Sequence, residues 1–183
     1  MKSIFSRISL ALLFVCFDAS VFAAPKCLSV QGTLDTQAIV LPIGDDGLPV
    51  VGAEQVGVIT MIPTIGDGNL IAFKKAFGQV LLRGGIHGVI TDLVFPNGVP
   101  TVVLNHEIGF PGVGALISTD DNAIFIGPPD AEGNIPVKES GPVTANDDGG
   151  AFVGWTGNFM ATGTIGTLTG TNAFLYQGEL CKN

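Results

Sequence analysis

Two histidines are the side chains of this sequence best suited to proton transfer, because the imidazole group changes charge near neutral pH. His87 and His106 lie on two β-rich segments joined at Asn97-Gly98. A two-residue turn there places His87 opposite Ile108 and puts both histidines on one side of the hairpin. That register predicts a histidine pair in an apolar pocket.

A three-residue loop over residues 96–98 gives a different arrangement of the same hairpin. His87 then faces Glu107, and His106 shares a side with Asp92, a combination suited to general acid–base chemistry. A third arrangement has one histidine in the core and the other exposed, since no further group stands out to complete a catalytic triad. The candidate catalytic residues are His106, His87 and Asp92.

Other polar and aromatic groups could face an interior cavity. Arg83, Tyr176 and Glu139 are such groups, although residue alternation alone does not place them. Trp155 lies on the apolar side of its segment, which is typical of a core position. The candidate ligand-binding residues are Trp155, His106, Tyr176 and Arg83.

Three acidic pairs could offer carboxylate oxygens to calcium; they are Asp45-Asp46, Asp120-Asp121 and Asp147-Asp148. The EF-hand spacing is absent, and aspartate, asparagine and glycine are also the ordinary residues of exposed turns. The sequence contains no Gly-x-Ser-x-Gly motif and no phosphate-binding glycine loop between a strand and a helix. We therefore expect turns at these pairs, with no metal and no cofactor.

Residues 1–23 have the pattern of a signal peptide. Lys2 and Arg7 precede an apolar run over residues 8–17, and small residues lead up to a cleavage point after Ala23. The run is too short to span a bilayer, which needs about 20 residues. The sequence predicts a secreted or periplasmic protein with one domain over residues 24–183.

Two cysteines, Cys27 and Cys181, remain near the two ends of the mature chain. Cys16 lies in the leader, and the bulky residues before it make a poor lipid-attachment signal. In an oxidising compartment the remaining pair predicts one disulfide. That bond makes the first and last strands neighbours, as a closed barrel requires.

The charge of the chain disfavours polyanionic partners. Without the leader it keeps 6 of its 8 basic and 15 of its 16 acidic residues, a net charge of about −9. An acidic surface repels phosphate backbones and anionic lipids, so we expect no nucleic-acid partner and no membrane insertion. The low charged fraction of 13%, with 46% hydrophobic residues, excludes a disordered chain.

The composition predicts an all-β fold without a helix. Turn residues at Asp46-Gly47, Asn97-Gly98 and Glu132-Gly133 mark three hairpin tips. Near the C-terminus, residues 151–165 alternate between an apolar side that includes Trp155 and a side rich in threonine. We expect this segment to bend at Gly157 or Gly163, or to break into two strands. The candidate strands are residues 27–33, 36–43, 48–53, 55–62, 70–74, 78–82, 87–95, 100–108, 112–118, 123–126, 135–138, 152–165 and 173–180.

Residues 150–159 and 161–164 resemble the C-terminal strands of the allene oxide cyclase-like and dirigent-like β-barrels. Those families carry a run of the form Gly-Gly-Thr-Gly-x-Phe-x-x-Ala-x-Gly, and Asp147-Asp148-Gly149-Gly150 stands here at its first four positions. Residues 176–180 resemble the final barrel strand of related secreted bacterial proteins. The resemblance covers the last third of the chain.

This resemblance implies a single antiparallel eight-stranded barrel, calycin-like or allene oxide cyclase-like, closed here by the terminal disulfide. Family members work without a cofactor on small molecules held in the barrel. We expect binding of a small apolar molecule in the lumen without catalysis. A cofactor-independent cyclase or isomerase is the first alternative, and a structural or interaction protein with a filled barrel is the second.

Overall fold

The computed structural model describes residues 26–39, 50–66, 68–146 and 150–182. The expected signal peptide, the tip at Asp46-Gly47 and two of the acidic pairs, Asp45-Asp46 and Asp147-Asp148, lie outside these residues. Within them, no helix is both long enough and apolar enough to cross a membrane.

Eight antiparallel strands form a closed barrel in which each strand pairs with the next and the last pairs with the first. This confirms the expected fold class. The strands are β1 (Lys26–Ala38), β2 (Glu54–Pro63), β3 (Leu82–Val94), β4 (Thr101–Phe110), β5 (Gly114–Phe125), β6 (Asn134–Ala145), β7 (Trp155–Gly166) and β8 (Thr171–Lys182).

The closure between β1 and β8 contains the expected disulfide. Cys27 and Cys181 are directly opposite each other in the strand pairing, and their sulfurs are bonded. The covalent bond therefore lies on the same seam that closes the hydrogen-bonded sheet.

Alternation along each strand separates the lumen from the outer surface. In β7 the side chains of Trp155 and Ala161 are buried, while Met160 between them is exposed. The apolar side predicted for this segment is thus the lumen side from Trp155 onward, although Val153 lies in the preceding turn and is exposed. β7 runs as one strand through both glycines at which a bend was expected.

A short helix, α1 (Asn69–Phe77), corrects the prediction that the chain has no helix and that residues 70–74 form a strand. Phe73 and Phe77 are one helical turn apart and both are buried. Gly78 ends the helix in the left-handed conformation with φ of 79°, and its N–H donates to the Lys74 carbonyl.

Helix α1 closes one end of the barrel with aromatic side chains. The ring of Phe77 lies 4.7 Å from that of Phe152 and 5.4 Å from that of Trp155, between centroids. Phe110 extends the cluster, with its ring 5.6 Å from Phe152. The disulfide and the start of β7 lie at this same end.

The β3–β4 pairing combines parts of the expected registers. His87 faces Glu107, as a three-residue loop predicts, and Asn97 in the connection has a positive φ of 54°. An irregularity before Asp92 shifts the register, so that Asp92 faces Val103 and is exposed. The expectation that Asp92 shares a side with His106 is therefore wrong, because a β-bulge reverses the alternation.

A second irregularity lies in β5, where the sequence predicts a turn between two strands. The strand continues through Asp120-Asp121 and bulges there, with Asp120 in the left-handed region at φ of 57°. Aspartate tolerates this conformation better than most residues. This bulge determines which side chains of β5 enter the barrel.

Candidate functional site

Four buried polar side chains meet on the lumen side of three neighbouring strands. His106 comes from β4, Ser118 and Asp121 from β5, and Glu139 from β6, and each is at most 3% exposed. Buried charged groups are rare unless they are paired, and strongly perturbed ionisable groups cluster at functional sites. This cluster is the candidate functional site.

The β5 bulge brings Ser118 and Asp121 to the same side of the sheet. Residues three apart on a regular strand point to opposite faces, and the extra residue of a bulge cancels that difference. The backbone N–H of Asp120 donates to the Asn105 side chain at 3.0 Å, and the Asn122 amide donates to the Asp120 carbonyl at 3.1 Å. These bonds fix the bulge from outside the lumen.

Gly141 on β6 provides the space for the Asp121 carboxylate. A β-carbon built on Gly141 would lie only 1.5 Å from Asp121 Oδ1. Any other residue at this position would displace the carboxylate.

Asp121 is the centre of the hydrogen bonding. His106 Nδ1 donates to Asp121 Oδ2 at 2.7 Å. The Ser118 hydroxyl contacts the Asp121 carboxylate and also lies 2.7 Å from the Pro142 carbonyl oxygen. Because Nδ1 carries the proton given to Asp121, the imidazole orientation is fixed with Nε2 pointing away from that carboxylate.

Two atoms of the cluster lack hydrogen-bond partners among the described residues. They are His106 Nε2 and Glu139 Oε1, and both are buried. Glu139 Oε1 lies 3.7 Å from His106 Nδ1, which is an ion-pair distance without a hydrogen bond. An unsatisfied buried polar atom costs about 1–3 kcal/mol, so these two atoms mark where a bound group would be stabilised.

The protonation of the cluster follows from burial and from its internal contacts. Burial lowers the pKa of His106, but the Asp121 hydrogen bond and the charges of Glu139 and Asp121 outweigh it, so the pKa lies above 6.5. Burial raises the pKa of the Glu139 carboxyl above 4.5, opposed by His106 and reinforced by Asp121. His106 and Glu139 therefore keep their protons to a higher pH than the same groups do in water.

A cavity of about 40 Å³ lies beside His106 and Glu139 in the middle of the barrel. A water molecule needs at least about 10–15 Å³ of such space, so the cavity has room for roughly three or four waters. The lining residues are Val30, Leu34, Ile59, Met61, Ile86, His106, Ile108, Leu116, Glu139, Val143, Asn158, Phe159, Ala161, Tyr176 and Leu180.

A second polar group lies in the lumen towards the end opposite α1. Thr36 and the Asn172 amide both donate to Gln55 Oε1 at 2.8 Å. On β3, Gly88 separates this group from His106, since a β-carbon there would lie 2.8 Å from the imidazole and 2.9 Å from the Gln55 amide nitrogen. The absence of a side chain at Gly88 lets the imidazole pack against β3.

Four of the remaining candidate residues lie away from this cluster. His87 is on the outer surface and pairs with Glu54 at 3.0 Å, so it does not reach the lumen with His106. Asp92 and Arg83 are exposed. Trp155 is buried in the aromatic end of the barrel, with Lys182 Nζ 5.9 Å from its ring.

Tyr176 does line the cavity, as proposed for a ligand-binding residue. Its hydroxyl donates to the Thr60 carbonyl at 2.7 Å, and burial raises its pKa. The Tyr176 side chain therefore forms part of the cavity wall, and its one polar atom, the hydroxyl oxygen, is already hydrogen-bonded.

Ser118 is the functional candidate that sequence reasoning missed, and Asp121 was considered only as a calcium ligand in a pair for which an exposed turn was expected. The available signal was a glycine, Gly141, two residues after Glu139 on the same strand side. A glycine at an inward position indicates that another group occupies the space of its side chain. That signal does not reveal which group it is.

The sequence matches no family profile and no curated protein. Among solved structures, the chain is similar in fold to a cyclase that binds heme nonspecifically and catalyses a cycloaddition during neoabyssomicin biosynthesis. The two share 10% sequence identity at a TM-score of 0.43, over 87% of this chain and 64% of the other. This chain thus corresponds to somewhat less than two thirds of that one.

Proposed function

We propose that the protein is an exported barrel that binds a small, mostly apolar molecule in its lumen, with a polar atom of the ligand placed at His106 and Glu139. The observation that carries the proposal is the cavity, whose wall is apolar except for His106, Glu139 and Asn158. One apolar wall with a few placed polar groups is the usual composition of a ligand site.

The cavity size restricts this proposal. Sites for drug-sized molecules begin at about 300 Å³, far above the 40 Å³ of the closed lumen. The ligand is therefore small, or its entry displaces lumen side chains such as Met61 and Phe159. The same measurement favours the filled structural barrel as a competing function.

The arrangement of the imidazole favours a second candidate, a cofactor-independent isomerase or cyclase. Asp121 holds Nδ1 of His106, and Nε2 is left without a partner among the described residues. A positioned imidazole next to a substrate is the usual general acid or base. Turnover of the bound molecule separates this candidate from simple binding.

The test uses phenol, an apolar probe with one oxygen, titrated against the protein by NMR. Its ring is larger than the 40 Å³ cavity, so binding in the lumen requires the displacement of side chains such as Met61 and Phe159. Ala161 lines the cavity, and Ala161→Val adds two methyl groups to it, so we expect saturable phenol binding to weaken by roughly tenfold or more. Ala173→Val is the matched control, because Ala173 is exposed on the outer face of β8.

Two results would contradict lumen binding. One is the absence of saturable binding to the unmodified protein, which would leave the filled barrel. The other is equal binding to the Ala161→Val and Ala173→Val proteins, which would place the probe outside the lumen.

A further inference from the structure

The candidate site contains more negative than positive groups. Two carboxylates, Asp121 and Glu139, share one imidazole, and within the described residues neither forms an ion pair with lysine or arginine. Even with His106 protonated, the ionised cluster carries one excess negative charge in a nearly dry lumen. Burying an uncompensated charge is costly, and a bound proton or cation removes that cost.

The ligand atoms are close enough together to share one cation. One atom each from His106, Asp121 and Glu139 lie within 4.8 Å of one another. Nitrogen and carboxylate oxygen bind zinc at about 2.0–2.2 Å, so two ligands of one ion can be up to roughly 4 Å apart. The 2.7 Å from Nδ1 to Asp121 and the 3.7 Å from Nδ1 to Glu139 both satisfy this limit. The oxygens of Asp121 and Glu139 lie within 4.8 Å of each other, so a side-chain movement of less than about 1 Å brings them to one ion.

Glu139 supplies an independent indication of a cation site. Its Oε1 is buried, has no hydrogen-bond partner among the described residues, and lies on the side facing His106 Nδ1. Asp121, by contrast, already accepts a hydrogen bond from Ser118, which is how the outer partners of metal ligands orient a carboxylate.

We propose that His106, Asp121 and Glu139 bind one divalent transition-metal cation inside the barrel. The cation takes the Nδ1 lone pair and one oxygen of each carboxylate, so His106 binds as the neutral imidazole with its one proton on Nε2. The second proton of the imidazolium, with any proton on Glu139, leaves to solvent. The neighbouring cavity has room for the waters that complete the coordination. One imidazole with two carboxylates suits Zn²⁺, Mn²⁺ or Fe²⁺ better than Mg²⁺ or Ca²⁺.

The test is a titration of chelator-treated protein with Zn²⁺ and with Mn²⁺, followed by calorimetry and thermal unfolding. We expect one ion per chain and a higher melting temperature for the unmodified protein. Glu139→Gln removes one ligand oxygen and should weaken binding by roughly tenfold or more. Its control is Glu107→Gln, because Glu107 is exposed on the outer side of β4, next to His106.

A surface site at His87 and Glu54 must be distinguished from the buried one. His87→Gln should leave the stoichiometric binding unchanged. Loss of binding in His87→Gln with full binding in Glu139→Gln would overturn the proposal, as would the absence of stoichiometric binding by the unmodified protein.

X-ray absorption of the zinc-loaded, unmodified protein gives a readout that does not depend on any variant folding. We expect a first shell that contains imidazole and carboxylate, and a shell of water oxygens alone would contradict the site. The titration needs no organic ligand, so its failure leaves phenol binding in the lumen untouched.

Discussion

At the scale of single residues, the site depends on pairs in which a glycine leaves the space that a polar side chain of another strand occupies. Gly141 leaves the space that the Asp121 carboxylate fills, and Gly88 leaves the space against which the His106 imidazole packs. Only one member of each pair has a functional group. The site therefore requires these two glycines as much as it requires the ionisable residues.

Gly141→Ala tests this dependence. The added β-carbon would force the Asp121 carboxylate away from His106 and Ser118, leaving a buried charge without its partners. We expect a loss of about 3–5 kcal/mol in the free energy of unfolding, measured by urea denaturation.

Gly109→Ala is the matched control for that substitution. Gly109 is exposed on β4, and a β-carbon added there would meet no heavy atom within 4 Å outside the adjoining residues. Its replacement should therefore change stability by less than about 0.5 kcal/mol. Equal effects of the two substitutions would show that Asp121 does not need the space at Gly141.

At the scale of elements, strands can be predicted from the sequence better than their interruptions. Turn residues and alternation indicate the all-β fold, and the apolar side predicted for β7 is correct from Trp155 onward. The bulges in β3 and β5 cannot be predicted, because one extra residue reverses the alternation without any change in composition. For this reason simple alternation places Asp92 inside the barrel and leaves Asp121 in an exposed turn.

Helix α1 escapes prediction for a different reason. It has nine residues, only Phe73 and Phe77 are buried, and its apolar composition also fits a strand. The helix-ending glycine, Gly78, and the two lysines before it are the available signals. What stabilises so short a helix is its packing on the barrel, which the local sequence does not contain.

Phe73→Ala tests the aromatic packing of α1. Phe73 is fully buried and its ring lies 4.8 Å from that of Phe77, so we expect a loss of about 3–5 kcal/mol. The single tryptophan, Trp155, contacts Phe77, so its fluorescence during urea denaturation reports unfolding at this end.

The control for α1 is Leu70→Ala, at an exposed position of the same helix. Its effect should stay within about 0.5 kcal/mol. A comparable loss in both variants would contradict a specific role of the aromatic packing, because alanine is a better helix former than either residue and propensity predicts no loss.

At the scale of the whole molecule, the disulfide is the strongest prediction from the sequence, because only Cys27 and Cys181 of its three cysteines lie outside the expected leader and they allow one pairing. It joins residues separated by 154 positions, so it restricts the unfolded chain far more than the folded barrel.

The double variant Cys27→Ser and Cys181→Ser measures that contribution. We expect the free energy of unfolding to fall by about 2–5 kcal/mol. A reducing agent should lower the stability of the unmodified protein by a similar amount and leave the variant unchanged. Equal stability of the oxidised and reduced protein would show that the disulfide does not contribute to stability.

The pairing of β8 with both β1 and β7 also has a consequence for folding, because a sheet that lacks β8 has two open edges. Twelve residues at the C-terminal end, Thr171–Lys182, must arrive before either open sheet edge is covered. Pairing between distant segments is slow, and an uncovered edge can pair with another chain. Until β8 arrives, every copy exposes two edges through which it can aggregate with its neighbours, and the last strand ends that exposure.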